Sequence, residues 1–260
     1  MTWVTIYQIF EGMKAQPAVP LAEIAQLLQA AEEAMSRMEG EWHSFGHVSE
    51  RYYYEYFCGG GAYEEAPVDM GGMWRYFGEQ LDRAGQTEDA MAAYERALKW
   101  DPVDAESLFA LIDDCRREGD LERCREMTDE AYDLCNTRAL LARYYRDLGF
   151  YYLETYQPEL AEALYLYSEL FYPTKEAVSE LSFLSSALKR KTPAYREEEL
   201  RAFLEKWEIP TEASTEMLEL TRKAAEDCEA EGRREEAKEC YLMLYDVTGS
   251  PGVLERLEAL

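Results

Sequence analysis

The chain has 260 residues, with 53 acidic against 27 basic side chains and a formal net charge of −26 at pH 7. So large an excess of negative charge repels phosphates, which excludes nucleic acid and anionic membranes as partners. A partner with basic or mixed charge is the kind that this charge permits. Hydrophobic residues make up 47% of the chain, which is enough for an ordered core, so intrinsic disorder is not expected.

Six cysteines are present, and none belongs to a C-x-x-C pair or to a small secreted disulfide framework. This usage predicts reduced thiols in a cytoplasmic protein. The apolar start from Thr2 to Phe10 lacks a basic flank and soon meets Glu11, so it does not resemble a signal peptide. No apolar stretch approaches the roughly 20 residues that cross a bilayer, and we expect no membrane segment.

Residues 1–70 predict a helical region that either caps or extends the rest of the fold. Residues 20–39 have the periodicity of an amphipathic helix. Its apolar stripe consists of Leu21, Ile24, Leu28, Met35 and Met38. The glycine-rich stretch from Cys58 to Gly72 lacks the lysine and the serine or threonine of a phosphate-binding P-loop, so it is interpreted as a linker.

Both histidines of the chain lie between these two segments. If this stretch were helical, His43 and His47 would share one face and could bind one metal ion. Ser44 stands where a zinc protease has its catalytic glutamate, and Gly46 weakens the helix. The sequence therefore favours no metal and no other cofactor. The alternative, a metal or catalytic centre within residues 40–65, stays open.

Two helices joined by a tight turn are clearest from Trp74 to Pro102. Gly85 accepts the left-handed conformation that commonly ends a helix, so it predicts the turn. Thr87 is the expected cap of the second helix, and Pro102 is the expected first residue of a third. The apolar positions of the two helices are Trp74, Phe77, Leu81, Ala84, Ala90, Tyr94, Ala97 and Leu98.

This pair resembles a tetratricopeptide repeat, whose pattern over 34 residues is W-x2-L-G-x2-Y, then A-x3-F and a final P. The matching residues are Trp74, Phe77, Gly78, Leu81, Ala90, Tyr94 and Pro102. The resemblance is clearest in residues 71–104 and weaker in 105–172 and 218–250. It implies an all-α fold over residues 71–260, a right-handed superhelical array of antiparallel helix pairs.

The weaker repeats keep the spacing but change the residues. In the second repeat Cys115 and Cys124 take packing positions, which favours a structural role over a redox role. In the third repeat, from Thr137 to Tyr172, Pro158 takes the place of the turn glycine. Further helices are predicted to open at Pro173, Pro193 and Pro251.

The resemblance also implies a ligand surface, because the first helix of each pair lines the concave side of such an array. Members of the family often bind extended peptides there, and some hold a terminal carboxylate in a lysine–asparagine clamp. Glu79 and Ala110 stand where that clamp would have asparagines, so binding of chaperone tails is not expected. The candidate peptide-binding residues are Arg75, Glu79, Asp82, Arg83, Glu106, Phe109, Asp113, Arg116, Arg143, Tyr144 and Arg146.

These observations favour a non-catalytic scaffold or adaptor that binds another protein or a peptide. The chain also has 20 tyrosines. Five of them on one predicted helix cannot all face inward, and tyrosine is common at interfaces. They are Tyr144, Tyr145, Tyr151, Tyr152 and Tyr156. An architectural homo-oligomer, built through these tyrosines or the last helix, is therefore a further alternative.

Overall fold

The computed structural model describes residues 1–260, and the predicted all-α class is confirmed. The helices are α1 (Trp3–Lys14), α2 (Leu21–Met35), α3 (Val48–Phe57), α4 (Met70–Arg83), α5 (Thr87–Trp100), α6 (Ala105–Glu118), α7 (Leu121–Ala131), α8 (Arg138–Glu154), α9 (Pro158–Phe171), α10 (Lys175–Ala187), α11 (Glu197–Glu205), α12 (Thr215–Ala230), α13 (Arg234–Thr248) and α14 (Pro251–Ala259). Two short strands, β1 (Trp42–His43) and β2 (Glu64–Glu65), pair in parallel. None of the helices combines the length and the apolar character that a bilayer crossing requires.

The chain forms two compact units, and the division between them falls within α6. The N-terminal unit is Met1–Asp114 and the C-terminal unit is Cys115–Leu260. In the N-terminal unit α4 and α5 form a helical hairpin, α2 packs against α4, and α1 packs against α2. The N-terminal helices therefore cover part of the first repeat-like pair. The division into 1–70 and 71–260 stays a prediction about domain organisation.

Two helical hairpins, α8–α9 and α12–α13, form the C-terminal unit together with shorter helices. The helix α7 packs against α8, both α10 and α11 pack against α9, and α14 packs against α13. Cys115 and Cys124 are buried, as the packing positions of the repeat pattern require.

A glycine in the first helix of a hairpin lies directly against a tyrosine in the second. A Cβ atom added to Gly78 of α4 would lie 2.6 Å from the ring of Tyr94 in α5. A Cβ atom added to Gly149 of α8 would lie 3.2 Å from the ring of Tyr165 in α9. Both tyrosines are fully buried. The contact at Gly78 therefore needs a glycine, and the looser contact at Gly149 favours one. The two contacts place the two hairpins in the same repeat register.

The turn between α8 and α9 is made by a tyrosine. Gly85 ends α4 with a φ of 74°, and Tyr156 occupies the same turn position with a φ of 62°. The amide after each of them closes the helix end, from Gln86 to the Leu81 carbonyl and from Gln157 to the Tyr152 carbonyl. The prediction that Pro158 replaces the turn glycine is wrong, because Pro158 is already the first residue of α9.

Three predicted helix starts lie elsewhere. Thr87 is the first residue of α5 and does not cap it. Pro102 lies in a turn ahead of α6, because the carboxylate of Asp101 accepts the N–H of Val103 at 3.2 Å and holds the chain out of the helix. The helix expected at Pro193 begins only at Glu197, where α11 starts.

The glycine-rich stretch is partly built into the fold. Its strand β2 pairs with β1, and Gly71 and Gly72 belong to the first turn of α4. The side chain of Asp69 caps that turn by accepting the N–H of Gly72 at 2.8 Å, and the N–H of Gly71 donates to Ser44 Oγ at 2.8 Å. The interpretation as a linker is therefore wrong for the second half of the stretch.

We predict that Gly78→Ala lowers the free energy of unfolding by about 1–3 kcal/mol, because the new methyl group would meet the buried ring of Tyr94. Gly12→Ala in α1 is the matched control, since no atom lies within 4 Å of its added Cβ. Urea denaturation compares the two variants with the wild type. An unchanged stability for Gly78→Ala would contradict the close approach.

We predict that Tyr156→Gly raises the free energy of unfolding by roughly 0.5–1 kcal/mol, because glycine adopts the left-handed conformation without strain. The tyrosine is 94% exposed, so few contacts are lost. Tyr156→Ala is the control, because it keeps the Cβ and should show no such gain. Equal stabilities for the glycine and alanine variants in urea denaturation would count against a strained turn.

Candidate functional site

Four of the predicted peptide-binding residues lie on one side of α4, and all four have partners within the fold. The guanidinium of Arg75 is paired with Asp104, which is 4% exposed. Asp82 accepts a hydrogen bond from the hydroxyl of Tyr94 at 2.9 Å. Arg83 is exposed and lies 3.8 Å from the carboxylate of Glu79. This face of α4 is therefore largely satisfied by internal contacts.

The pair of Arg75 and Asp104 is part of the junction between α5 and α6. Asp104 also accepts the hydroxyl of Ser107 at 2.5 Å and the N–H of Glu106 at 3.2 Å. Burial lowers the pKa of Arg75, but the carboxylates of Asp104 and Asp69 outweigh it and raise that pKa above its ordinary value. Arg75 is thus fixed as a structural cation.

A similar pair joins α6 to α8 within the C-terminal unit. Arg116 Nη1 donates to Asp147 Oδ1 at 3.0 Å, and the Asp147 side chain is only 2% exposed. The guanidinium of Arg116 also lies over the ring of Phe150, 4.3 Å from its centroid. Removing this cation would leave a buried carboxylate without its charge partner, which costs several kcal/mol.

Two predicted ligand residues are buried and do not form a surface. Phe109 is fully buried in α6, and Tyr144 is 3% exposed in α8. Helical spacing places both on the predicted binding side, but the packed helices around them enclose their side chains. Neither ring can contact a peptide without a rearrangement. Asp113 is half-buried and Glu106 is exposed.

Arg143 and Arg146 remain on α8, and both are half-buried. Nη1 of Arg146 is shielded from solvent and has no hydrogen-bond partner. Burial lowers the pKa of Arg146; the charge of Asp147 opposes this effect, and the charge of Arg143 adds to it. Arginine stays protonated in proteins, so this side chain is a buried cation with unused donor capacity. A carboxylate or another anion is the group that it can bind.

The two histidines do not share one helix, which was the condition for a metal site built on both of them. His43 lies in β1, and His47 precedes the first turn of α3. The ring of His43 is buried against Tyr54, with centroids 4.5 Å apart, and its Nδ1 donates to the Trp100 carbonyl at 3.1 Å. No group of three histidine, cysteine or acidic side chains is placed to hold a metal ion.

Three tyrosine hydroxyls hold one extended segment of the C-terminal unit, residues 209–212, which we call the connecting segment. They donate to three successive carbonyls: Tyr145 to Pro210 at 3.0 Å, Tyr167 to Thr211 at 2.5 Å and Tyr132 to Glu212 at 3.0 Å. Burial is the main cause that raises the pKa of Tyr132 and of Tyr167 to about 12, so these hydroxyls stay protonated as donors.

These contacts give some of the tyrosines a structural use. Tyr145 is fully buried, whereas Tyr151 and Tyr152 are half-buried beside Arg125. Tyr156, in the turn after α8, is the one of the five that is highly exposed, at 94%. Two of the five are therefore enclosed in the fold, and Tyr145 is the one that binds the chain's own backbone.

A buried carboxyl pair escaped the sequence analysis. Glu50 and Asp101 are 7% and 3% exposed, and their side chains are hydrogen-bonded to each other. Burial raises the pKa of both, and mutual repulsion raises that of Asp101 further. Such a pair shares a proton. The only sequence signal is the position of Glu50, three residues after His47, which is the spacing of a capping box.

The pair fastens the segment before α3 to the end of α5. Asp101 Oδ2 accepts the N–H of Gly46 at 3.4 Å, and the Trp100 carbonyl accepts the N–H of Ser44 at 3.0 Å. Gly71 fits closely here, because a Cβ on it would lie 3.3 Å from Asp101. The polar network thus has a structural role in docking the N-terminal region.

Solved structures that are similar to this chain are also helical. The TPR2AB domain of yeast Sti1 in complex with pHSP90 is 15% identical over 69% of this chain and 65% of that chain, with a TM-score of 0.41. The apo form of RapI is 13% identical to this chain. The match covers 100% of this chain and 82% of RapI, with a TM-score of 0.46. The protein TTC0263 of Thermus thermophilus is 19% identical to this chain. The match covers 73% of this chain and 97% of TTC0263, with a TM-score of 0.36.

Two of these three are described as TPR proteins. The chain spans just under two thirds of the Sti1 chain that it matches. No protein-family profile and no curated protein matches the sequence. The description of this chain as TPR-like therefore rests on its own helix pairs.

We predict that the stability of the protein falls as pH rises because of the Glu50–Asp101 pair. Both pKa values are raised, so between about pH 4 and the raised values the native chain keeps a proton that the unfolded chain releases. This contribution is complete on the acidic side and is lost as the pair deprotonates. Asp101→Asn should flatten the dependence.

Urea denaturation of wild type and Asp101→Asn at several values from about pH 5 to 8 measures the effect. The difference between the two isolates the pair from the other acidic groups. Asp113→Asn, at a half-buried acid outside this pair, is the control and should follow the wild type. Parallel curves for wild type and Asp101→Asn would show that the pair does not share a proton.

Proposed function

We propose that the protein is a non-catalytic scaffold or adaptor that holds a protein or peptide on the face of α8 that carries Arg143 and Arg146. The observation that carries this proposal is Nη1 of Arg146, which is buried and lacks a partner. An unsatisfied buried donor costs about 1–3 kcal/mol, and more when it is charged. A ligand that supplies an acceptor would recover that free energy on binding.

Three other half-buried arginines of the chain differ from Arg146, because each of them is paired with a carboxylate. Arg75 is paired with Asp104 and Arg116 with Asp147. Arg190 holds Glu162 through two hydrogen bonds of 3.0 and 2.8 Å. Nη1 of Arg146 is shielded from solvent and has no acceptor within the fold, which supports a role in binding.

The ligand expected at this face has mixed charge. A carboxylate suits the planar guanidinium of Arg146, because two parallel N–H groups can bind its two oxygens. The remaining surface of the chain is strongly acidic, with a net charge of −26, so basic residues of the same ligand would be attracted to it. An acidic side chain or a free carboxyl terminus among basic residues meets both demands.

The position on the repeat supports a groove role as well. α8 is the first helix of the α8–α9 pair, and first helices line the concave side of tetratricopeptide arrays. A binding surface of this kind needs no reacting groups, which is why we propose an adaptor without an activity of its own. The cytoplasm remains the expected compartment.

Charge reversal at Arg75 or Arg116 would not test this proposal. Each of these arginines neutralises a buried carboxylate, so reversal would bury two like charges and unfold the region. Nη1 of Arg146 has no such partner. Replacing Arg146 therefore removes a binding group and leaves the ion pairs of the buried carboxylates Asp104 and Asp147 intact.

We predict that Arg146→Gln lowers the affinity for selected peptides by about tenfold or more, the usual effect of losing a charged hydrogen bond. Random peptides displayed on phage would be selected on the immobilised full chain, synthesised and titrated by calorimetry. The selected sequences should share an acidic residue or a free carboxyl terminus. Thermal denaturation should show that the variant is as stable as the wild type.

Arg222→Gln is the matched control, because Arg222 is an exposed arginine on α12. It should bind the selected peptides like the wild type. Equal binding by Arg146→Gln, or selected peptides without any carboxylate in common, would reject this face as the site.

A further inference from the structure

A groove lies between α2 and the α4–α5 hairpin of the N-terminal unit. It consists of an apolar cavity of about 490 Å³, lined by Trp74 and Phe77 among others, and a smaller one of about 350 Å³, lined by Trp42 and Trp100. Arg96 lines both cavities. We call this pair of cavities the N-terminal groove. Three of the five tryptophans of the chain therefore line one groove.

Arg96 divides the groove into its two parts. Its Nη1 donates to both carboxylate oxygens of Glu32 on α2, at 2.9 and 3.0 Å. Its guanidinium also lies 4.7 Å from the ring centroid of Trp74. The ion pair is exposed on both sides, so it contributes little to stability and can be rearranged at low cost.

The α8–α9 hairpin shows what occupies the equivalent place in the C-terminal unit. When Gly78 is aligned on Gly149, and Tyr94 on Tyr165, three groove residues acquire counterparts. The counterparts are Tyr145 for Trp74, Tyr167 for Arg96 and Phe171 for Trp100. Tyr145 and Tyr167 hold the connecting segment (residues 209–212), and α11 just before it packs against α9. In the α4–α5 hairpin α2 covers this place only in part and leaves the groove, whereas in the α8–α9 hairpin the connecting segment fills it.

The hydrogen-bond donors at these equivalent positions are also comparable. The hydroxyls of Tyr145 and Tyr167 donate to the carbonyls of Pro210 and Thr211. At the first position the N-terminal groove has the indole N–H of Trp74, a side chain that is 9% exposed and whose Nε1 has no partner. At the second position it has the guanidinium of Arg96. Arg96 therefore offers a donor at the groove surface, whereas the buried N–H of Trp74 reaches a backbone carbonyl of an incoming chain only when its neighbours shift on binding.

We propose that the N-terminal groove binds a segment of a partner protein that is built like residues 196–212 of this chain. Such a segment is a short acidic amphipathic helix followed by an extended stretch whose carbonyls accept from Trp74 and Arg96. The N-terminal groove lies in a different unit from Arg146. This proposal therefore goes beyond the proposed adaptor site and does not depend on it.

Charge and shape both support this occupant. α11 begins with three glutamates, Glu197–Glu199, and buries Leu200 and Leu204 on its other side. The smaller cavity is lined by Arg96, which is paired with Glu32, and by Lys99, which is exposed and forms no ion pair. The charge of Lys99 therefore suits an acidic helix end. The apolar cavity beside Phe77 suits leucines spaced four residues apart, which share one face of a helix.

The probe is a fluorescein-labelled peptide of residues 196–213, titrated with the full chain and followed by fluorescence anisotropy. Saturable binding is expected. Ala92→Arg places a long charged side chain in the apolar cavity and should weaken binding about tenfold or more. Gln26→Arg is the matched control, an exposed residue of α2 that does not line the groove, and it should bind like the wild type.

Trp74→Phe keeps an aromatic ring but removes the unpartnered N–H. It should weaken binding about fivefold, the effect of one hydrogen bond, without lowering the stability by a comparable amount. The fold of each variant is checked by circular dichroism.

Three results would overturn the proposal. The first is no saturable binding to the wild type. The second is equal binding of a scrambled peptide of the same composition. The third is full binding to Ala92→Arg, which would mean that the peptide binds the C-terminal unit in exchange for the chain's own segment. None of these results bears on the Arg146 face, which the selected peptides test separately.

Discussion

The close approach between a glycine of the first helix and a tyrosine of the second determines how the two helices of a hairpin are oriented, and the other contacts depend on that orientation. Gly78 against Tyr94, and Gly149 against Tyr165, leave no room for a side chain between the paired helices. Each contact fixes which face of the first helix is turned toward its partner and which face stays available to a ligand. Because the same contact occurs in both hairpins, residues at equal repeat positions can be compared. That comparison relates Trp74 to Tyr145 and distinguishes an open groove from a filled one.

Charge is the second constraint on this acidic chain. Its interior carboxylates are acceptable only where a cation or a shared proton neutralises them, as Asp147 is by Arg116 and Asp101 by the proton that it shares with Glu50. Arginines committed in this way hold the fold together and are lost to binding. Arg146, whose Nη1 has no partner, is for that reason the residue that we propose as the carboxylate-binding group.

Local sequence patterns predicted the helices well, because caps, turn glycines and apolar spacing act over a few residues. Gly85 follows the end of α4 as expected, and the third repeat begins at Thr137 as expected, where Thr137 caps α8. The patterns failed where contacts join distant parts of the chain. Phe109 has the spacing of a surface residue but is enclosed by its neighbours, and the donation from Tyr145 to Pro210 joins residues that no local pattern connects. The sequence left the histidine stretch open between a helix and a loop, and the structure has a short strand at Trp42–His43. The arginines of the predicted site stay candidates, and only the structure distinguishes Arg116, which is paired with Asp147, from Arg146, whose Nη1 has no partner.

The most direct measurement is hydrogen–deuterium exchange of the full chain with and without a saturating peptide selected on it. If the face of α8 that carries Arg146 binds the ligand, the amides of residues 138–154 should show the largest slowing of exchange. The protection should be absent in Arg146→Gln at the same peptide concentration. Protection confined to other helices, with α8 unchanged, would contradict a binding role for this face.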